Sequence, residues 1–283
     1  MILSDPVVAH TFAFKIGPLE ITGFGIAVLA AFFIAQYVCE RELARRGQVT
    51  EALAMGDVTF AALIGTLVGA KLYYVLVITH DFRDIFTRGG FVYWGGFIGS
   101  VLACFLVIRY RKLSFARFSD VAAIGIAAGY SVGRTGCWAV GDDYGKYWTG
   151  PLAVAFPEGA PPSTVATMIT QFGQKFDATF TNPNQVVTVI PTQLVEVALG
   201  FVMFVILWRL RDHKHAAGWL FGVYCLLAGI ERFIVEFMRA KDDRFSIFGG
   251  FSTAQAIAFG IMIAGVAVMY SRRSSASAPA LQS

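Results

Sequence analysis

The run FSTAQAIAFGIMIAGVAVMY, Phe251–Tyr270, holds 20 residues without one Asp, Glu, Lys or Arg, and Ser271, Arg272 and Arg273 close it. About 20 residues of helix cross the hydrocarbon of a bilayer. No water is available there to satisfy the backbone, so a spanning segment is a helix or a strand of a closed barrel. The run is continuously apolar and does not alternate, which selects the helix. Six similar runs precede it: Ile21–Cys39, Leu53–Ile78, Phe91–Ile108, Phe118–Val140, Pro191–Trp208 and Gly218–Phe237. Composition agrees. The 283 residues are 56% hydrophobic and 15% charged, against about 45–50% and about 25% in soluble domains. One soluble core of this size could not hide that much apolar surface, and a disordered chain is excluded by the same figures. The net charge of +4 includes no basic block suited to nucleic acid. The expected fold is an all-α polytopic membrane protein with seven transmembrane helices.

The loops give a direction. Arg41, Arg45, Arg46, Arg109, Arg111, Lys112, Arg117, Arg209, Arg211, Lys214, Arg272 and Arg273 place 12 basic residues in short segments on one side. The other side carries 8, namely Lys15, Arg83, Arg88, Lys146, Lys175, Arg239, Lys241 and Arg244, spread over more chain. Cytoplasmic loops are enriched in Lys and Arg. The N-terminus is therefore expected outside and the C-terminus in the cytoplasm, which requires an odd number of spans. The first 20 residues have one Lys and do not resemble a cleaved signal. Residues 141–190 are rich in Gly, Pro, Thr and Asn. They read as a small folded head or lid on the outer face, inserted between spans four and five of a single domain, 1–273. Residues 274–283 read as a disordered tail. No internal repeat of the transporter kind is visible.

Ionisable residues inside spans are costly, by about 2.5–3.5 kcal/mol at mid-bilayer, and mark sites. Here they are Lys71, Arg134, Glu196, Glu231, Arg232 and Glu236, with Gln193 near Glu196. With the direction above, all are expected in the outer half of the membrane. Arg232, Glu236 and Arg239 recur at i, i+4 and i+7 and share a helical face. Tyr130, Arg134 and Cys137 share another. Gly125, Gly129 and Gly133, and also Gly65 and Gly69, form stripes that suit close helix packing. Two readings of the charges stand. They form a structural network, Arg232 with Glu236 and Arg134 with Glu196, or the cations receive an anionic lipid head group. Lys71 either joins the second or snorkels from the lipid face. Cys39, Cys104, Cys137 and Cys225 form no CxxC pair and read as small buried thiols. His213 and His215 read as solvated charge in a basic loop, and no metal site is expected.

Several blocks then become familiar. Gly133-Arg134-Thr135-Gly136-Cys137-Trp138-Ala139-Val140-Gly141-Asp142-Asp143-Tyr144-Gly145 resembles the signature of the prolipoprotein diacylglyceryl transferase family. So do Tyr93-Trp94-Gly95-Gly96-Phe97-Ile98-Gly99, Pro191–Glu196 and Gly229–Arg239. Ile16-Gly17-Pro18 with Phe24-Gly25, and Gly69-Ala70-Lys71, match the family's earlier blocks. They occur in the family's order from residue 16 to about 270. The resemblance implies seven helices, an outside N-terminus and a periplasmic head. It implies transfer of the diacylglyceryl group of phosphatidylglycerol onto the lipobox cysteine of a prolipoprotein, in the bacterial inner membrane. The partners are then phosphatidylglycerol, the lipobox segment and membrane lipid, with no nucleic acid and no cofactor. The sequence departs from the family at Trp94, where His is frequent, at Phe24 and Ala228, where Tyr is frequent, and at Cys137, where Asn is usual.

Such a reaction needs a thiolate and a stabilised leaving phosphate. A free thiol has a pKa of about 8.5, so little of it is ionised at neutral pH. Positive charge in a site of low dielectric favours both anions. Arg134 is assigned to the lipid phosphate, and Arg232 to the phosphate or the thiolate. Glu196, Asp142 and Glu236 orient the arginines or take the thiol proton. Gly95, Gly96, Gly145, Gln193, Arg239 and Lys71 are expected to bind substrate, and Trp94 and Phe24 to wall the acyl chains. A family member with another acceptor or without activity, and an unrelated polytopic transporter, are the alternatives.

Overall fold

The computed structural model describes residues 7–17, 19–87, 90–240 and 250–274. Pro18, Arg88, Lys241, Arg244 and nearly all of the expected tail lie outside the described residues. The architecture is helical. The long helices are α1 (Gly23–Arg45), α2 (Val49–Tyr73), α3 (Tyr93–Tyr110) and α4 (Phe115–Val140). After the short α5 (Val165–Thr170) come α6 (Thr192–Leu210), α7 (Trp219–Glu236) and α8 (Thr253–Ser271). A π-helical turn, Tyr74–Thr79, prolongs α2. Five of these helices are long and apolar enough to cross a membrane: α1, α2 with its extension, α3, α6 and α8. The remaining two long helices hold most of the charge that the sequence placed inside apolar runs, Arg134 on α4 and Glu231, Arg232 and Glu236 on α7. Large apolar side chains stand exposed on all five, Phe33, Phe60, Phe105, Phe201 and Phe259 among them. Water would not tolerate that continuous apolar surface, and lipid does. The chain is a multi-pass membrane protein.

The chain divides into two compact units, residues 32–125 and residues 1–31 with 126–283. In the first, α2 and α3 lie in backbone contact. A Cβ on Gly69 would collide with the Gly95 carbonyl, and one on Gly65 would lie 2.5 Å from the Gly99 oxygen. Small residues at this seam let dispersion and backbone contact hold two helices whose other faces are equally apolar. Cys39, Leu43, Met55, Val58, Ile108, Phe118 and Val121 form the buried cluster of this unit.

In the second unit, α7 and α8 pack through a similar seam, where a Cβ on Gly222 would lie 2.9 Å from the Gly265 carbonyl. The segment 141–190 folds around its own apolar core of Tyr144, Val154, Phe156, Val165, Met168, Val187 and Val189, against which Trp138 of α4 packs. A three-stranded sheet, ordered β1 (Val7–Val8), β4 (Val154–Ala155) and β5 (Thr188–Val189), ties the N-terminal segment to it. β2 (Ala13–Ile16) and β3 (Leu19–Thr22) form a separate antiparallel hairpin. Inside the core, the Ser163 hydroxyl accepts from the Phe156 N–H at 2.9 Å and donates to the Val187 carbonyl at 2.9 Å. One sequence expectation fails in the loop before α7. His213 and His215 are not simply solvated, for both rings lie against Trp219, with centroids 5.0 and 4.3 Å away. His215 Nδ1 also donates to the Arg273 carbonyl at 2.9 Å, fastening this loop to the end of α8.

Candidate active site

The site is built where α4 ends. Gly141 turns the chain with φ +65°, and a Cβ there would meet Gly159 at 2.8 Å. Asp143 follows with φ 54°, a left-handed conformation in which Asp is one of the few tolerated side chains. The first turn of α6 grips this corner. Gln193 Nε2 donates to the Asp142 carbonyl at 2.6 Å, and Thr192 Oγ1 donates to the Asp143 carbonyl at 2.7 Å. Gly145 N–H donates to the Ile190 carbonyl at 2.8 Å and Lys146 N–H to the Met238 carbonyl at 2.9 Å. Residues 142–146 are thereby held between the start of α6 and the segment just after α7.

The side chains of that frame form one polar network within an apolar helical body. Arg134 donates through Nη2 to Glu196 Oε1, and through Nη1 to Asp143 Oδ2 at 3.0 Å and to Cys137 Sγ at 3.3 Å. Its Nε reaches the Tyr130 hydroxyl at 3.4 Å, which donates to Glu231 Oε1 at 2.9 Å. Arg239 Nη2 pairs with Asp143 Oδ1, and its Nη1 lies 3.7 Å from Glu196 Oε1. Arg232 pairs with Glu236 at 2.7 Å, and Glu236 also faces Arg239 Nε at 3.9 Å. Among the described residues, three guanidiniums thus pair with three carboxylates, Asp143, Glu196 and Glu236, with Glu231 joined through Tyr130 and Asp142 alongside. Burial first, and then the neighbouring Asp143 charge, push the Asp142 carboxyl up to about 6. Its Oδ1, Gln193 Oε1, Glu196 Oε2 and Arg232 Nη1 are buried without a hydrogen-bond partner among the described residues. A group left in that state costs about 1–3 kcal/mol, so the site holds unused donors and acceptors that a ligand can satisfy.

The family model for prolipoprotein diacylglyceryl transferase matches residues 11–271. The chain belongs to this family. Proteins called phosphatidylglycerol–prolipoprotein diacylglyceryl transferase are similar along nearly the whole chain. One from Geobacter sulfurreducens is 29% identical over 92% of this chain and 95% of its own. One from Xanthomonas oryzae pv. oryzae is 30% identical over 98% and 93%, and one from Nitratidesulfovibrio vulgaris 28% over 93% and 92%.

Of the residues that resemblance to the diacylglyceryl transferases singled out, Arg134, Glu196, Arg232, Glu236 and Arg239 fall in one network, with Asp142, Gln193 and Gly145 in its frame. Both ion pairs of the structural reading, Arg134 with Glu196 and Arg232 with Glu236, are present. α7 ends at Glu236, yet the expected face holds, because Arg239 N–H donates to the Val235 carbonyl at 3.2 Å and Arg239 Nε lies 3.9 Å from Glu236. A bridge to Gly145 also fixes Arg239, and it is 4% exposed, which does not suit a loop charge.

Lys71, Gly95 and Gly96 belong to the other unit. Lys71 does not snorkel. It is 9% exposed, donates to the Thr87 carbonyl at 2.7 Å and hydroxyl at 3.0 Å, and lies over the Tyr74 and Phe91 rings. Gly95 is packed on the Gly69 backbone, and Gly96 sits by Thr66. Sequence reading gave Asp143 no role, whereas Glu231, marked as an in-span charge, and Tyr130, placed on a face with Arg134, do join the network. The Tyr130–Arg134 spacing and the doubled Asp142-Asp143 were the available signals. Cys137, Asp142 and Asp143 could geometrically converge on a cation, but the Arg134 guanidinium already fills the space between Cys137 and Asp143.

Proposed function

We propose that this protein moves the diacylglyceryl group of phosphatidylglycerol onto the thiol of a prolipoprotein lipobox cysteine. The observation that carries the reading is the network of Arg134 and Arg232, both half-buried, and the buried Arg239 at the ends of membrane helices. Its relatives' names give the reaction and both substrates. The thiolate sulfur attacks the glyceryl carbon that bears the phosphate. A C–S bond forms, the C–O bond breaks, and glycerol phosphate leaves with the electron pair. Arginine keeps its charge at any working pH and presents a planar fork to phosphate oxygens. Arg134 and Arg232 stabilise the charge gathering on the leaving group, and Arg232 Nη1 has no acceptor among the described residues to compete for it. Asp142 takes the thiol proton. It titrates near 6, so it is mainly ionised at neutral pH while more basic than an ordinary carboxylate. Glu196 and Glu236 orient the guanidiniums, and Gly145 and Gln193 hold the corner.

The seven long helices all cross the bacterial inner membrane in this reading. The N-terminus and the 141–190 body face the periplasm and the C-terminus the cytoplasm, as the distribution of Lys and Arg supports. Membrane lipid surrounds the exposed apolar faces. The purified protein, given phosphatidylglycerol and a lipobox peptide, is expected to add the mass of one diacylglyceryl group to the peptide cysteine. Phosphatidylglycerol left intact and peptide unmodified would remove the assignment.

A further inference from the structure

Every guanidinium nitrogen of Arg134 is already donating. Nε meets Tyr130, Nη1 meets Cys137 and Asp143, and Nη2 meets Glu196. Four of its five N–H groups are thereby used, so a phosphate oxygen that takes Nη1 does so by displacing Cys137 or Asp143. The acceptors are not equally displaceable. Tyr130 lies one turn away on the same helix, and the Glu196 side chain is 0% exposed. The Asp143 side chain is 30% exposed, more than Arg134 at 16% or Arg239 at 5%. Asp143 is thus the carboxylate that an arriving anion meets first. Its two oxygens are divided, Oδ2 to Arg134 and Oδ1 to Arg239, much as two oxygens of one phosphate would be. Its carbonyl stays fixed by Thr192 at 2.7 Å, so the carboxylate can leave by side-chain rotation without moving the corner.

We propose that the Asp143 carboxylate occupies the slot in which Arg134 and Arg239 together receive a phosphate oxyanion, and so sets how tightly the site takes phosphate. This rests on the site being one that handles a phospholipid. The phosphate is that of phosphatidylglycerol or that of the glycerol phosphate released. Asp143 is an internal competitor for both.

The test is binding by the full-length protein in detergent, titrated separately with phosphatidylglycerol and with glycerol phosphate. Asp143→Asn keeps the shape and removes the charge. It is expected to tighten binding about tenfold, the scale of one charge-assisted hydrogen bond released. The gain is expected to vanish in Asp143→Asn combined with Arg239→Gln. A gain confined to phosphatidylglycerol assigns the slot to the substrate, and one confined to glycerol phosphate assigns it to the product. Unchanged or weaker binding of both ligands would overturn the proposal, because a residue that only positions the arginines weakens the site when removed. Asp143→Ser, with the same expected direction, decides the matter if the Asn variant does not fold. Peptide transfer measured in parallel keeps the two readings apart, since its failure in the unaltered protein removes the assigned reaction and leaves the binding comparison intact.

Discussion

A guanidinium held by a thiol, a phenol and two carboxylates is positioned on three sides, and a lysine ammonium cannot reproduce that arrangement. Arg134→Lys and Arg232→Lys are each expected to lower transfer about a hundredfold, on the order of 3 kcal/mol, with the protein still inserted. If Arg232 only balanced Glu236, then replacing both with Gln would restore activity. The double variant is expected to stay inactive, because the required partner is the phosphate. Turnover assays at matched expression check both. Asp142 gives a test by pH. Its carboxyl is pushed up to about 6, mainly by burial. A raised carboxylate pKa favours the folded state when protonated, so that contribution is present at pH 4 and is lost as pH rises through about 6. Asp142→Asn is locked in the neutral form. Its melting temperature is expected to match that of the unaltered protein near pH 4 and to exceed it increasingly up to pH 6, with a constant difference above. A difference independent of pH would mean that Asp142 is not the titrating group.

The corner after α4 depends on a strand-like contact more than on helical periodicity. Gly145 bridges to Arg239, and a Cβ on it would lie 2.5 Å from the Met238 carbonyl and 2.8 Å from Ile190. Backbone cannot yield as a flexible side chain can. Gly145→Ala is expected to displace Arg239 and to lower transfer tenfold or more, while α6 and α7 remain inserted. Activity within twofold of the unaltered protein would show that the bridge does not set the arginine. This corner also shows what the sequence could convey. Seven long helices were legible as long apolar runs, five of which are long and apolar enough to cross a membrane, and α8 matches its run to within two residues at its start and one at its end. Arg134, Glu196, Arg232 and Glu236 were legible because charge in such runs is rare. Arg239 was assigned to a face of α7 by its period. It does face Glu236 there, and it is fixed further by a contact between residues 145 and 239, a separation no local pattern reports. Asp143 stood in a loop, where a carboxylate is ordinary, and its role depends on Arg239, 96 residues away, together with Arg134. Gly95 and Gly96 sat in a family motif, yet their surroundings here are those of helix packing on α2.

At the scale of the molecule, the proposed orientation, read from the charge asymmetry of the loops, sets which side the network opens to. A reporter active only outside the cytoplasm is expected to work when fused within 141–190 and to fail when fused after Arg273. The reverse pattern would invert the molecule and put the arginines on the cytoplasmic side. Whichever side it faces, the network is read as the place where one phosphate ester bond is exchanged for one thioether. The most direct measurement follows both products together, with purified protein, phosphatidylglycerol carrying a labelled head group, and a lipobox peptide. One glycerol phosphate is expected for each diacylglyceryl-cysteine formed, with both products falling together about a hundredfold in Arg134→Lys. Peptide modified without release of glycerol phosphate, or equal yields from Arg134→Lys and the unaltered protein, would contradict a phosphate-handling arginine centre.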